Sequence, residues 1–421
     1  MSAGNTALSP DRLRPFVQRT VEQTPILDIH THLCPPRFGD LLLWGIDELL
    51  TYHYLIAEVY RVAPLPYDKW WAMTKQQQAD HIWRHLFLER SPISEACRGV
   101  LTVLRALELD VNSRDLAGFR KFFAAYKVED YVDRVFKVAN VKSVIMTNDP
   151  FDDNERPVWL DGGAETDPRF QAVLRIDPLL IDWNKTAGRL REWGYAVTGD
   201  LSQGDIGLVK KFLNDWIERM HPRYMAVSLT PDFAYPDDSP CGKLIQHCIL
   251  PVAKEAGIPF AMMIGVKRQI NPNLRLAGDG VGKSDIGTVE RICSANPDNR
   301  FLVTMLSREN QHELCVVARK MPNLLIFGCW WFLNNPSIIE EMTRERFELL
   351  GLSIIPQHSD ARVLDQLIYK WSHSRRIIAD VLADKYDDLA RTGWRPTESE
   401  IQRDVNDVFG GTFERFCQRA S

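Results

Sequence analysis

The chain has 421 residues, of which 45% are hydrophobic and 25% are charged, and its formal net charge is -5. This composition is typical of a globular protein, and the absence of a basic block or a long apolar run argues against nucleic acid or a membrane as its main partner. A small anionic substrate remains compatible with it, because individual arginines bind anions on an acidic protein.

Eight short apolar runs, each bounded by Pro, Gly, Asn or Asp, are predicted to be strands. In chain order they cover residues 26–33, 141–150, 170–180, 224–233, 259–266, 300–307, 323–332 and 352–361. Helical patterns fill the gaps from the second strand onward, for example at 207–221, 241–257 and 309–321. This alternation predicts an α/β fold, a distorted (β/α)8 TIM-like barrel. An open doubly wound sheet is the structural alternative, although no G-x-G-x-x-G motif supports its dinucleotide-binding form.

Two helical regions are predicted in addition to the barrel. Residues 34–140, after the first strand, read as a helical insertion lobe large enough to lie over the barrel mouth. A helical C-terminal tail, from about residue 362 to 421, is expected to pack outside the barrel. We therefore expect residues 1–421 to form a single metal-dependent barrel domain that contains this lobe.

The first strand, "ILDIHTHL", carries two histidines. Side chains alternate across a strand, so Asp28, His30 and His32 are expected to share one face. The strand ends at the C-terminal mouth of the barrel, where the active sites of such barrels lie. Two imidazoles at this spacing can bind one cation, and neutral imidazole suits Zn, Mn or Fe. The alternative is two polar residues on a half-exposed strand.

The last predicted strand offers a third ligand, because strand eight is next to strand one in a closed barrel. Asp360 lies at its exit, within "IIPQHSDAR", and is expected to reach the same ion. His358, two residues earlier, is interpreted as a packed or hydrogen-bonded neighbour. Predicted strands four, five and six carry no lysine or histidine for a second ion. The sequence therefore predicts one metal ion, held by His30, His32 and Asp360, with open positions for water or substrate.

The eight cysteines form no C-x-x-C pair, and the first residues lack the basic and apolar regions of a secretory signal. We therefore expect reduced thiols and a cytoplasmic protein. A homo-oligomer is left open by the sequence.

Taken together, several motifs resemble those of the uronate isomerases (glucuronate isomerases), a mononuclear branch of the amidohydrolase superfamily. In chain order they are "DIHTHL", "TNDPFDD", "LRIDPLL", "IGVKRQINP", "FGCWWF" and "SDAR". They cover nearly the whole chain. The segment "TYHYLIAE" is similar to the shorter, divergent subgroup of that family.

The resemblance implies a site as well as a fold. His30, His32 and Asp360 match the metal ligands, with Zn2+ favoured and Mn2+ or another divalent ion as alternatives. The other residues that it matches to catalysis or substrate binding are Arg362, Arg175, His53, Tyr54 and Trp331, with Trp330 as an alternative to Trp331. "DELLTYHYLIAEVYR" also reads as a plain amphipathic helix, in which His53 would be a buried core residue.

The activity that the resemblance implies is the reversible aldose–ketose isomerisation of a hexuronate. The substrate pair is D-glucuronate and D-fructuronate, with D-galacturonate and D-tagaturonate as a further pair, through a cis-enediol. Asp360, or Tyr54 as a phenolate, is the expected base, His53 assists the proton relay, and Arg175 and Arg362 bind oxyanions. One departure is Met263, which stands where many members carry a strand-five histidine.

Two other functions remain open at this stage. One is a mononuclear metal-dependent hydrolase or decarboxylase on the same barrel, in which a bound hydroxide would act as nucleophile. The other is a catalytically inactive barrel that binds sugar acids.

Overall fold

A computed structural model describes residues 7–162 and 167–418 of the chain. Within these ranges seven strands form one parallel sheet that curls into a barrel, in the order β1-β2-β3-β4-β5-β8-β9. A separate antiparallel pair, β6 and β7, follows β5. The strands are β1 (Ile26–Thr31), β2 (Val141–Asn148), β3 (Phe170–Arg175), β4 (Met225–Leu229), β5 (Phe260–Ile264), β6 (Val266–Lys267), β7 (Gly280–Val281), β8 (Phe301–Met305) and β9 (Leu324–Ile326).

Helices flank the sheet and fill the gaps between its strands, as the predicted distorted (β/α)8 barrel requires, so that prediction is confirmed. The α-helices are α1 (Pro10–Gln23), α2 (Ile46–Leu50), α3 (His53–Val62), α4 (Tyr67–Ala72), α5 (Lys75–Ile82), α6 (Glu95–Ala106), α7 (Leu116–Ala124), α8 (Val128–Ala139), α9 (Glu155–Leu160), α10 (Asp177–Ile181), α11 (Trp183–Glu192), α12 (Gln203–Met220), α13 (Pro240–Leu244), α14 (Leu250–Glu255), α15 (Ile286–Ala295), α16 (Gln311–Ala318), α17 (Pro336–Leu350), α18 (Gln366–Arg391), α19 (Glu398–Asn406) and α20 (Thr412–Gln418). Short 3₁₀ or π turns cover Pro36–Leu41, Trp83–Leu88, Val111–Ser113, Ile245–Ile249, Pro272–Gly278, Arg308–Asn310, Trp331–Leu333 and Asp407–Gly411.

The eighth predicted strand, residues 352–361, is not a regular strand, and this part of the prediction was wrong. The segment still fills the gap between β9 and β1. Ile355 N–H donates to Ile326 O at 3.1 Å, and at the other side Asp360 N–H donates to His30 O at 3.1 Å. Asp360 has a φ of +52°, a left-handed conformation that a strand excludes. The barrel is therefore closed by irregular backbone, and its bend occurs at a predicted metal ligand.

Residues 34–140 contain α2 to α8 and the intervening turns. The long helix predicted around "DELLTYHYLIAEVYR" is two helices, because Tyr52 is extended, with φ -63° and ψ 141°, and α3 begins at His53. The division into one barrel domain over 1–421 with a lobe at 34–140 stays a prediction, and its outermost residues lie outside the described ranges.

The C-terminal region is helical, as predicted. Helix α18 packs against α1 and α17 on the outside of the barrel. The end of the tail differs from the expectation, because Phe413 and Phe416 of α20 join the apolar cluster formed by inward-facing side chains such as Leu27 and Val173. The last helix thus closes the barrel at the end opposite the site. No helix among the described residues is long and apolar enough to cross a membrane.

Gly328, just after β9, is expected to be irreplaceable by alanine. Its φ is +66°, and a Cβ there would lie 1.8 Å from His358 Nδ1. Gly328→Ala should lower the free energy of unfolding by roughly 2–5 kcal/mol, from backbone strain plus overpacking. Denaturant titration measures this loss. Gly351 is the matched control, because its φ is +60° and its Cβ would meet nothing within 4 Å. Gly351→Ala should cost only about 1–2 kcal/mol, and equal losses in the two variants would contradict the packing argument.

Candidate metal centre and active site

The three predicted ligands converge at the mouth of the barrel. The Nε2 atoms of His30 and His32 lie 3.6 and 3.2 Å from Asp360 Oδ1. One ligand atom from each residue lies within 4.8 Å of the others. Backbone bonds hold this arrangement, because Asp360 N–H donates to His30 O and His32 N–H donates to Ala361 O at 2.7 Å. Irregular closure of the barrel therefore brings Asp360 to the end of β1.

Both histidines are oriented in the same way by a hydroxyl group. The Thr147 hydroxyl donates to Thr31 O at 3.1 Å, so its oxygen is left to accept from His32 Nδ1 at 2.6 Å. The Tyr224 hydroxyl donates to Ile29 O at 2.7 Å and accepts from His30 Nδ1 at 3.3 Å. In each ring the proton is thereby assigned to Nδ1, and the Nε2 lone pair faces the site.

The protonation states and unpaired ligand atoms of these three residues suit a bound cation. His30 Nε2 and Asp360 Oδ1 are buried and have no hydrogen-bond partner among the described residues. Burial lowers the pKa of His30 to about 3, and it also lowers the pKa of His32 well below its usual value, so both rings are neutral at physiological pH. Two neutral imidazoles and a carboxylate suit a divalent transition metal. These residues therefore form a possible metal-binding site.

Two neighbours of the site do not join it. Asp28 was expected to share the histidine face, but its carboxylate accepts from Trp371 Nε1 at 2.7 Å and from Ser359 N at 3.1 Å. The register of β1 is irregular at this point, which breaks simple alternation. His358 is buried with its ring centroid 5.1 Å from that of His30, and it is a packed neighbour as predicted.

The cavity beside these ligands is lined by most of the residues that the sequence singled out. Its volume is about 20 Å³, room for roughly one water. The predicted residues in its wall are His30, His32, His53, Arg175, Trp330, Trp331, Asp360 and Arg362. Met263 also lines it, so the strand-five position faces the site without a titratable group.

Tyr54 is the predicted site residue that does not line this cavity. Its hydroxyl is buried, with no hydrogen-bond partner among the described residues, and its ring lies against that of His53, with a centroid distance of 4.5 Å. Burial raises the pKa of Tyr54 well above its usual value, whereas Arg362 acts in the opposite direction. Burial also lowers the pKa of His53 well below its usual value. Both side chains are therefore neutral at physiological pH.

The two predicted arginines differ in their partners. Arg175 donates to Asp177 through two bonds, Nε to Oδ2 at 2.9 Å and Nη2 to Oδ1 at 2.8 Å. Burial lowers the pKa of Arg175, but Asp177 more than compensates and the pKa lies above its usual value. The guanidinium of Arg362 has no hydrogen-bond or ion-pair partner that we identify within the described ranges, so it is the more available cation in the cavity wall.

Some residues around the site were not predicted. Thr147 and Tyr224 orient the histidines, and Arg268 lines the cavity from the segment that follows β5. A polar residue at the exit of an apolar strand was a usable signal for Thr147. Tyr224 carried no comparable signal, because its position depends on the closure of the barrel. Arg268 lies within the motif "IGVKRQINP", but its place beside the cavity depends on the path of a loop.

A (β/α)8-type barrel with two histidines at the exit of its first strand and an aspartate beside them defines an enzyme of the amidohydrolase superfamily. The chain is 58% identical to a uronate isomerase from Bacillus halodurans C-125, over 98% of each chain and with a TM-score of 0.96. The chain therefore belongs to the uronate isomerase family, and it is an isomerase.

Two more distant structures share the fold. A uronate isomerase from Thermotoga maritima is 14% identical, covering 98% of this chain and 100% of its own, with a TM-score of 0.76. A glucuronate isomerase from Caulobacter crescentus is 14% identical, covering 100% and 99%, with a TM-score of 0.74. No protein-family profile and no curated protein matches the chain.

Proposed function

We propose that this protein interconverts D-glucuronate and D-fructuronate, and D-galacturonate and D-tagaturonate, with one divalent ion, preferably Zn2+, at His30, His32 and Asp360. The observation that carries the proposal is a mononuclear ligand set beside an available arginine, in a chain 58% identical to a uronate isomerase. When bound, the ion supplies positive charge that holds oxygens of the open-chain sugar acid. Mn2+ is the alternative ion.

Asp360 is the base in this proposal. It lines the cavity, whereas Tyr54 does not and is kept neutral by burial. The C2–H bond breaks, its proton passes to the Asp360 carboxylate, and its electron pair forms the C1–C2 double bond while the π pair of the C1 carbonyl moves onto the C1 oxygen, which gives the cis-enediolate. Asp360 then returns the proton to C1, while the proton of the C2 hydroxyl is transferred to the C1 oxygen.

The remaining polar residues stabilise negative charge and relay protons. Arg362 donates to the oxygens on which negative charge develops, and Arg175, fixed by Asp177, presents its remaining N–H groups to the acid. The neutral phenol of Tyr54 does not line the cavity, and it contributes to the proton relay through His53, whose ring lies against its own and which does line the cavity. Trp331 stacks on Phe332 with centroids 4.9 Å apart and forms an apolar wall.

The hydrolase or decarboxylase alternative is not favoured, because the similar chains that we identify are isomerases. In addition, the strand-five position in the cavity wall is Met263, which has no titratable group to orient water or accept a proton. An inactive sugar-acid-binding barrel would not need the paired hydroxyl groups that orient both imidazoles. A cytoplasmic setting is supported by eight free thiols, and a homo-oligomer stays a prediction.

The proposal is tested with pure protein loaded with Zn2+ or Mn2+. We expect ketose formation from D-glucuronate and D-galacturonate, followed by proton NMR. Removal of the ion with a chelator should abolish turnover, and addition of Zn2+ should restore it. Failure to convert either acid while one ion per chain is bound would refute the isomerase proposal.

A further inference from the structure

We propose that Arg268 is a substrate-binding residue, which donates to hydroxyl oxygens of the open-chain sugar acid at the end away from the metal. This inference rests on the proposed function. Arg268 lines the same cavity as His30, His32 and Asp360. It comes from a separate element, an excursion between β5 and α15 that comprises residues 265–285 and includes β6 and β7.

Hydrogen bonds hold the excursion in a defined conformation. Its base is held by Gly265 N–H, which donates to Leu229 O at 3.0 Å. Arg268 Nη1 donates to Asp279 Oδ2 at 2.7 Å, and Gln269 N–H donates to Asp279 Oδ1 at 2.8 Å. The Asp279 side chain is only 2% exposed. One buried carboxylate thus fixes both the backbone next to Arg268 and one of its N–H groups.

The same excursion is anchored to α4, and its turn at Pro272–Gly278 packs against α3, the helix that carries His53. Trp71 Nε1 donates to Asn273 O at 2.9 Å, and Arg275 lies over the Trp71 ring at 4.1 Å. Asn271 Nδ2 donates to the Tyr67 hydroxyl at 3.2 Å. These contacts hold Arg268 beside the cavity from the side of α3 and α4.

Exposure separates the inner and outer ends of the site. The side chains of His30 and Asp360 are 2% and 7% exposed, whereas that of Arg268 is 44% exposed. C1 and C2 of the substrate lie at the inner end, because the proposed base Asp360 is there, and the net positive charge of a divalent ion with one carboxylate ligand attracts the oxygens on these two carbons. The hydroxyl-bearing part of the chain is then left for the outer end.

Arg268 has the donors for that contact. A guanidinium carries five N–H donors, and Arg268 uses one of them on Asp279, the bond that we identify among the described residues. The others are available to sugar hydroxyls. By contrast Arg175 is already held at two points by Asp177. The structure therefore assigns Arg268 to substrate binding rather than to the proton transfer itself.

The test compares Arg268→Met with wild type in steady-state kinetics on D-glucuronate and D-galacturonate. We expect KM to rise by roughly 10- to 100-fold, the range for loss of a charge-assisted hydrogen bond, with kcat within about threefold. Arg268→Lys should be intermediate, since it keeps the charge but loses the fork of donors. Lys267→Met is the matched control, because Lys267 is the exposed neighbour and does not line the cavity, and its KM should be unchanged.

A purely structural role would give a different pattern. Arg268→Gln keeps a neutral donor for Asp279, so it should retain the wild-type melting temperature and metal content while still raising KM. An unchanged KM in Arg268→Met, or a loss of kcat that follows only a lowered melting temperature, would overturn the assignment. Absence of turnover in wild type would instead refute the proposed function, so the two failures are distinguishable.

Discussion

Replacing Asp360 with Asn is expected to lower kcat/KM for both hexuronates by at least about 10³-fold. The carboxylate is the anionic member of the ligand set and, in our proposal, also the group that moves the proton between C2 and C1. A neutral amide binds a divalent ion weakly and does not accept a proton at physiological pH. Mass spectrometry of the bound metal measures the loss of metal binding, and steady-state kinetics on the same sample measure the loss of activity.

The two roles of Asp360 separate when Zn2+ is supplied in excess. We expect metal content to recover in part and activity to remain low, because saturation with the ion does not replace the base. Asp153→Asn is the control, since Asp153 is an exposed ion-pair partner of Arg189 and does not line the cavity. Recovery of full activity at high Zn2+ would show that Asp360 is a ligand only.

The candidate metal centre was predictable because it depends on two general rules. Alternation along the first strand predicted that His30 and His32 share a face, which holds for this pair but not for Asp28, and the closure of the barrel predicted the exit of the eighth segment beside them. The details of that closure were not predictable. "IIPQHSDAR" reads as an apolar run that ends in a polar turn, but the left-handed conformation of Asp360 depends on backbone bonds to His30 and His32, which are distant in sequence.

The substrate side of the site was harder to predict from sequence. The break between α2 and α3 at Tyr52 contains neither proline nor glycine, so the periodic pattern predicted one continuous helix. That break matters, because it places His53 and Tyr54 in the first turn of α3. Arg268 escaped prediction for a similar reason, since its place beside the cavity depends on a buried carboxylate eleven residues away in an irregular segment.

Replacing Tyr54 with Phe is expected to lower kcat by roughly 10²-fold, in the range for loss of one proton-transferring or charge-stabilising donor. The Tyr54 hydroxyl is buried and has no described hydrogen-bond partner, and its ring lies against that of His53 in the cavity wall, so its proton is available to the relay that His53 assists. Burial raises its pKa well above the usual value, which makes it a donor rather than a base. Metal content should not change, because the ligands are elsewhere.

Hydrogen exchange at C2 then distinguishes the base from the donor. In deuterated water, Tyr54→Phe should still incorporate deuterium at C2 of D-glucuronate, because Asp360 continues to remove that proton, while net ketose formation falls. Tyr60→Phe is the control, since Tyr60 is stacked on Tyr67 in the same helical region and does not line the cavity. Loss of C2 exchange in parallel with loss of isomerisation would instead identify Tyr54 as the base, and would require the bound ion and Arg362 to overcome the effect of burial on its pKa.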